Sequence, residues 1–485
     1  MKKVITTLLS AVLLVPTCAS ANNFIRGGDI TELNYIEDLG GQYYDKNSNE
    51  RDALEILAES GFNMARIRLS NNPGKGRGDG FYYLPDGYQN EADCLDLARR
   101  AKAAGMGIQF TFNYSDYWSN GTRQIIPSDW VKAIKEKKGY DISSPAFLKT
   151  MTSAKRKEII AELETLIYDY TFDIMTKLAN QGTVPEYVSL GNEINGGMLF
   201  PFANMYSATM SATNHELIFS GATSADISCP ADTASLAKFI NAGYDAVKAV
   251  SPETQVAIHL ADAPNDAFTW ALGELVKAGA KFDVIGASYY PAWSGKVIED
   301  FVKFANSITK KYNKNILIME TGFNWNDVTT DGYPGQLGDI DAYKNVFPPT
   351  QDGHHGYMEA LIKGLRSVEN NRCLGFLYWD PLMIHVDDGK GKSLSGWAYS
   401  EADNSVQKNV VENTTLFDFN GKAIKSLDAF STDMKNNTIM VISPTYDIDG
   451  RLVDVSLNKT DKRDTGSIKA GDFVWDFEKI KAFGK

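Results

Sequence analysis

Two glutamates stand out for their positions. Glu193 closes the run Val188-Ser189-Leu190-Gly191-Asn192-Glu193, and Glu320 closes Ile316-Leu317-Ile318-Met319-Glu320; both runs read as buried strands. A charge at the end of a buried strand needs a reason. For any one of the 61 acids in the chain, the plain reason is a strand-end carboxylate paired with a neighbouring arginine. Two such carboxylates facing each other suit a sharper purpose, cleavage of a glycosidic bond. One protonates the leaving oxygen while the other attacks the anomeric carbon or activates water. In retaining enzymes the carboxyl groups lie about 5 to 5.5 Å apart. One of the pair is then expected to keep its proton near neutral pH, through a less polar setting and its partner's charge.

Whether the two can face each other depends on the elements that carry them. Short runs rich in Val, Ile, Phe and Tyr fall at 24–30, 63–69, 108–114, 187–193, 256–261, 284–290, 316–321 and 374–379. Helical periodicity fills 51–60, 91–104, 155–180, 231–250, 269–278, 297–311 and 356–369, with a last helix at 425–434. Eight strand–helix alternations predict an α/β chain folded as a (β/α)₈ TIM barrel. Helix-to-strand connections such as 60–62 and 104–107 are short, whereas the strand-to-helix connections 115–153, 195–230, 324–355 and 381–409 are long and polar. Long loops gathered on one side mark a functional face, which in this architecture lies at the strand C-termini. Glu193 and Glu320 end strands four and seven, so both can point into one mouth. A length of 485 residues allows either several ordinary domains or one elaborated barrel. The loop asymmetry favours one catalytic barrel over 22–435. The remainder, 436–485, reads as a tail or small β appendage with short strands near 438–442, 451–456 and 472–478.

Composition removes other classes. With 43% apolar residues, 55 aromatics and no recurring period, the chain is neither disordered nor fibrous. A net charge of -12 without a basic run excludes a nucleic-acid partner, since that binding depends on clustered Lys and Arg. Met1-Lys2-Lys3, an apolar stretch over 4–16 and Ala19-Ser20-Ala21 read as a signal peptide over 1–21, which implies export to the periplasm, cell surface or medium. No later run is long enough for a transmembrane segment. Val15-Pro16-Thr17-Cys18 matches a lipobox poorly, so soluble export ranks ahead of a lipid anchor on Cys18. Cys94, Cys229 and Cys373 cannot build a disulfide framework. There is no His-x-His or His-Glu-x-x-His pattern for a catalytic metal, and His354-His355 reads as a polar helix start.

A set of motifs narrows the reading: Arg66-Ile67-Arg68-Leu69, Asn71-Asn72-Pro73, Tyr114-Ser115-Asp116, Gly191-Asn192-Glu193 through Leu199, Ser288-Tyr289-Tyr290-Pro291 with Trp293, Met319-Glu320-Thr321, Tyr378-Trp379 and Leu416-Phe417-Asp418-Phe419. In this order, from about 25 to 430, they resemble glycoside hydrolase family 53, the endo-β-1,4-galactanases acting on type I arabinogalactan. The resemblance implies Glu193 as acid/base, Glu320 as nucleophile, Asn192 on the sugar 2-hydroxyl and Arg66 supporting the nucleophile. It also implies substrate contacts from Tyr114, Asp116, His259, Tyr289, Trp293 and Trp379, with core packing the competing role for the aromatics. Whether Tyr289 or Tyr290 faces inward turns on one residue of register. Asn113, Ser70 and Asp380 depart from the usual His, Trp and Glu of the family, which bears on subsite preference. No cofactor is required for the chemistry. Some family members bind calcium in the loops after strands seven and eight. Here Asp331-Gly332-Tyr333-Pro334-Gly335 keeps the Asp but has Tyr in place of a His ligand. Hard cations want six to eight oxygens, so this loop is not expected to hold calcium, and Asp331 is the ligand position if it does. The expected partner is a polysaccharide, β-1,4-galactan. A retaining mannanase or xylanase, and a binding barrel without turnover, are the rivals.

Overall fold

Apolar runs without polar alternation can be buried on both faces when helices cover a parallel sheet. In the computed structural model they are. It describes residues 24–431, apart from 75–80, 214–215, 219–226, 336, 338–342, 344, 391–392 and 401–404, together with 439–446 and 452–460. Eight strands, β1 (Ile25–Asp29), β2 (Met64–Leu69), β3 (Gly107–Phe112), β4 (Tyr187–Leu190), β5 (Gln255–Leu260), β6 (Val284–Ser288), β7 (Asn315–Thr321) and β8 (Cys373–Tyr378), pair in parallel and in sequence order into a closed barrel. The helices between them are α1 (Ala53–Glu59), α2 (Glu91–Ala103), α3 (Ser153–Asn180), α4 (Thr233–Val250), α5 (Asp266–Lys277), α6 (Ile298–Tyr312) and α7 (Gln351–Arg366). Side-chain oxygens fix where several begin: Asp52, Asn90, Thr152, Asp232 and Thr350 each accept a first-turn backbone N–H.

Alternation along each strand divides the core in two. Ala65, Ile67, Leu69, Val188, Leu190, Ile316 and Ile318 pack outward with the helices, while Ile25, Met64, Ala257, Val284, Leu317, Met319 and Leu377 form a separate cluster in the lumen. Barrel closure depends on Gly375: at φ 136°, a Cβ there would lie 2.0 Å from the Ile25 carbonyl on β1.

The structure differs from the sequence reading in four places. Strand four ends at Leu190, three residues before Glu193. The loop after β3 contains helices Ser128–Lys138 and Pro145–Thr150, and the loop after β4 contains short strands including Ile227–Cys229. The last helix is a 3₁₀ segment, Lys425–Phe430, packed on α7. In the tail, Ile439–Tyr446 and Leu452–Thr460 form an antiparallel pair longer than expected, because each strand supplies the other's hydrogen bonds. The signal-peptide segment with Cys18, and the strand expected near 472–478, lie outside the described residues. Cys94, Cys229 and Cys373 are buried thiols. No helix among the described residues is long and apolar enough to cross a membrane.

Candidate active site

Two backbone devices aim the carboxylates. After β4, Gly191 (φ 86°) turns the chain so tightly that a Cβ would lie 2.5 Å from Ile194 Cγ2, and Glu193 follows in the left-handed region (φ 49°, ψ 54°). That conformation costs about 1 kcal/mol or more for a residue with a Cβ. The neighbours hold it: Asn195 Nδ2 donates to the Ala261 carbonyl at 3.1 Å, its Oδ1 accepts from the Ala261 N–H at 2.6 Å, and Gln124 Nε2 donates to the Asn192 carbonyl at 2.9 Å. On β7 the device is a bulge. Ala287 is opposite Ile318 but Ser288 is opposite Glu320, so β7 carries one extra residue. The slip breaks the two-residue period and turns Glu320 toward the mouth directly after inward-facing Met319.

The two carboxylates therefore converge. Oxygens of Glu193 and Glu320 and a ring nitrogen of His259 all lie within 4.8 Å of one another. Their surroundings are opposite. Glu320 Oε1 is 2.7 Å from Nη1 of Arg66, a fully buried guanidinium that also meets Asp29 at 3.0 Å and Asn192 Oδ1 at 2.7 Å. The Tyr290 hydroxyl donates to Glu320 Oε2 at 3.2 Å. Among the described residues, Glu193 has no such cation. Its Oε1 accepts from the Ser288 hydroxyl at 2.6 Å, and Ser288 Oγ lies 2.9 Å from His259 Nε2. Burial, then the charge of Glu320, push Glu193 up to about 8, with the Ser288 hydroxyl pulling the other way. His259 is held well below the usual histidine range by burial and by Arg66 and Arg68, so its imidazole is neutral. Behind the pair, Arg68 meets Asp29 at 2.7 Å and Glu32 at 2.6 Å.

Of the residues expected from sequence, Arg66, Asn192, Glu193, Glu320, Trp293 and Trp379 gather at the mouth. Trp293 is 45% exposed with its ring 4.4 Å from that of Tyr290, and Trp379 meets Tyr290 edge-on at 6.4 Å. Four contact assignments change. Tyr289 is fully buried on the outer side of the barrel, its ring 4.7 Å from Phe301 of α6 and its hydroxyl donating to the Lys296 carbonyl, so the β6 register gives the mouth to Tyr290. Tyr114, at φ 51°, turns outward and meets Thr171 of α3 at 2.7 Å. Asp116 anchors loops by accepting from the Asn72 and Ser128 N–H groups at 3.1 and 2.9 Å. His259 is fully enclosed and reaches Glu193 through Ser288.

Sequence reading missed Ser288 and Asp29, and left Tyr290 open as the alternative to Tyr289. The period-two spacing of Ser288 and Tyr290 was the available signal, and Asp29 is a third acid closing a buried strand.

The departures from the family pattern are buried. Asn113 Nδ2 and Gln89 Nε2 both donate to Ser70 Oγ, at 3.0 and 3.1 Å. Asp380 accepts from the Leu382 N–H at 3.0 Å; burial, then the charges of Glu32 and Asp29, hold it well above the usual carboxylate range. Asp331 organises its own turn, accepting from the Thr329 hydroxyl at 2.5 Å and the Tyr333 N–H at 3.1 Å. His354 is interior, between Ser426 and Tyr378.

Comparison with known proteins gives a family match and similar chains. The model for glycosyl hydrolase family 53 matches residues 25–159 and 149–430. The arabinogalactan endo-β-1,4-galactanase of Humicola insolens is 28% identical over 413 residues, covering 84% of this chain and 98% of its own. The endo-β-1,4-galactanase of Bacillus subtilis strain 168 is 24% identical over 427 residues, covering 84% and 85%. The solved family 53 catalytic domain of Ignisphaera aggregans superposes with a TM-score of 0.65 at 29% identity, covering 86% of this chain and 97% of that one.

Proposed function

The chain belongs to glycosyl hydrolase family 53, and from that premise we propose that it is an exported, retaining endo-β-1,4-galactanase acting on galactan and type I arabinogalactan. The observation that carries the reading is the facing pair, within 4.8 Å, with an arginine, among the described residues, on one carboxylate only. Glu193 holds a proton at neutral pH and gives it to the glycosidic oxygen as that bond breaks. Glu320, positioned by Arg66 and Tyr290, attacks the anomeric carbon to form a glycosyl-enzyme ester. Glu193, now a carboxylate, takes a proton from water as the water attacks the same carbon. The ester opens, Glu320 is released and the β-configuration returns. The short gap supports retention, because inverting enzymes need about 6.5 to 9.5 Å to admit a water between the carboxyl groups.

The substrate assignment rests on the family and on the names of the similar enzymes, with Trp293 and Trp379 supplying flat apolar faces for sugar rings. Release of reducing ends from galactan, mannan and xylan tests it; cleavage of mannan or xylan without galactan would overturn the substrate. Early-product NMR tests the stereochemistry, and an initial α-anomer would rule out retention.

A further inference from the structure

Trp293 lies in the groove, but the most exposed aromatic ring among the described residues, Trp270 at 46%, lies outside it. Its placement follows from the chain. Ala261 and Asp262 line the groove beside Glu193, the chain turns through the Asn265 N–H to Asp262 carbonyl bond, and α5 begins at Asp266. The N-terminus of α5 is therefore on the face that carries the site. Trp270 is only about 6 Å further along the helix axis, and helical side chains lean toward the N-terminus, so its ring lies at the rim.

Its neighbour arrives from the other side. Gly196, in the turn directly after Glu193, accepts from the Met205 N–H at 2.9 Å, and Tyr206 follows, 37% exposed. Helix α5 packs against that same turn. The rings of Tyr206 and Trp270 stand 6.4 Å apart with planes inclined at 56°.

We propose that Trp270 and Tyr206 form a second carbohydrate-binding surface, outside the cleavage site, that holds galactose units of a long substrate chain emerging over the Asp262 wall. The inference rests on the galactanase reading. Two rings are far too small an area for a stable protein partner, which buries about 800 Å² per side. They do fit the apolar C–H face of a pyranose, and they adjoin the groove to which the proposed galactan chain is assigned. A chain held at both places gains in effective concentration, whereas an oligosaccharide confined to the groove gains nothing.

The test uses the full chain with Trp270→Ala, Tyr206→Ala and Trp270→Phe, each also combined with Glu320→Gln so that binding is read without turnover. Retardation in gels containing β-1,4-galactan should fall in both alanine variants and be largely restored by Trp270→Phe. In the active background, KM on galactan should rise about three- to tenfold, the scale of an aromatic contact, while kcat/KM on galactotetraose stays unchanged. Undiminished galactan binding in both alanine variants, or an equal loss on galactotetraose, would overturn the proposal. If Glu320→Gln is retarded by mannan or xylan and not by galactan, the galactanase reading falls instead. The surface is then judged by whether Trp270→Ala abolishes that retardation.

Discussion

Removing one hydroxyl should move the pH range in which the enzyme works. Ser288 Oγ donates to Glu193 Oε1 at 2.6 Å, so it stabilises the carboxylate and opposes the burial and Glu320 charge that favour the proton. Ser288→Ala deletes that donor. A hydrogen bond to a charged group contributes about 1.5 to 3 kcal/mol, and 1.36 kcal/mol corresponds to one pH unit, so the full effect is about one to two units. Glu193 is partly open to the groove, and water there replaces part of the lost bond, leaving about one unit. The direction is fixed: without Ser288 the acid keeps its proton more tightly, and the alkaline limb of kcat/KM moves upward. The assay is kcat/KM on a galacto-oligosaccharide from about pH 4 to 10, which reports the free enzyme. Melting curves alongside exclude general loosening. An alkaline limb that stays in place, or moves down, would refute the assignment of Glu193 as the acid tuned through Ser288.

Three further outcomes follow from the same geometry. Glu320→Ala should reduce hydrolysis by about three orders of magnitude or more while oligosaccharide binding, measured by calorimetry, is largely kept; an active variant would remove Glu320 as nucleophile. Tyr290→Phe removes a donor to Glu320 and should cost about 5- to 30-fold in kcat, whereas Tyr289→Phe should leave kcat unchanged and cost about 1 kcal/mol of stability; the reverse pattern would contradict the β6 register. Glu299, near the start of α6, is buried, and burial raises it from 4.5 to about 7, with its own backbone N–H pulling the other way. The native state therefore binds the proton more tightly than the unfolded chain, and stability falls as pH climbs from about 4.5 to about 7, by up to roughly 3 kcal/mol. Glu299→Gln should flatten the melting temperature across that window; an unaltered pH profile would show that Glu299 does not titrate there.

The barrel was legible because its signals are repetitive: eight apolar runs, helical spacing between them and long connections on one side only. Glu193 and Glu320 were legible for a related reason, since charge at the end of a buried strand is conspicuous in composition alone. What escaped depends on single-residue geometry. Simple alternation would set Glu320 with outward-facing Ile316 and Ile318, and only the extra residue in β7 reverses it. The choice between Tyr289 and Tyr290 is the same problem on β6. Tyr114 continues an apolar strand in sequence, but a left-handed backbone turns it to the helices. The resemblance implies a sugar contact from His259, yet the lumen encloses it completely, leaving Ser288 as its route to the acid.

Arg66 has one further consequence. Its guanidinium bonds to Asp29 at the end of β1, to Asn192 just beyond β4 and to Glu320 on β7, while its own Cα sits in β2. Those attachments straddle the two halves of the barrel, four strands on each side of the division between β4 and β5. Neither half alone contains both facing carboxylates and the arginine that bonds to one of them. A duplicated, split or permuted half-barrel could keep the layout of strands and helices and still have no chemistry, because here the closing of the cylinder and the completion of the catalytic centre are one event.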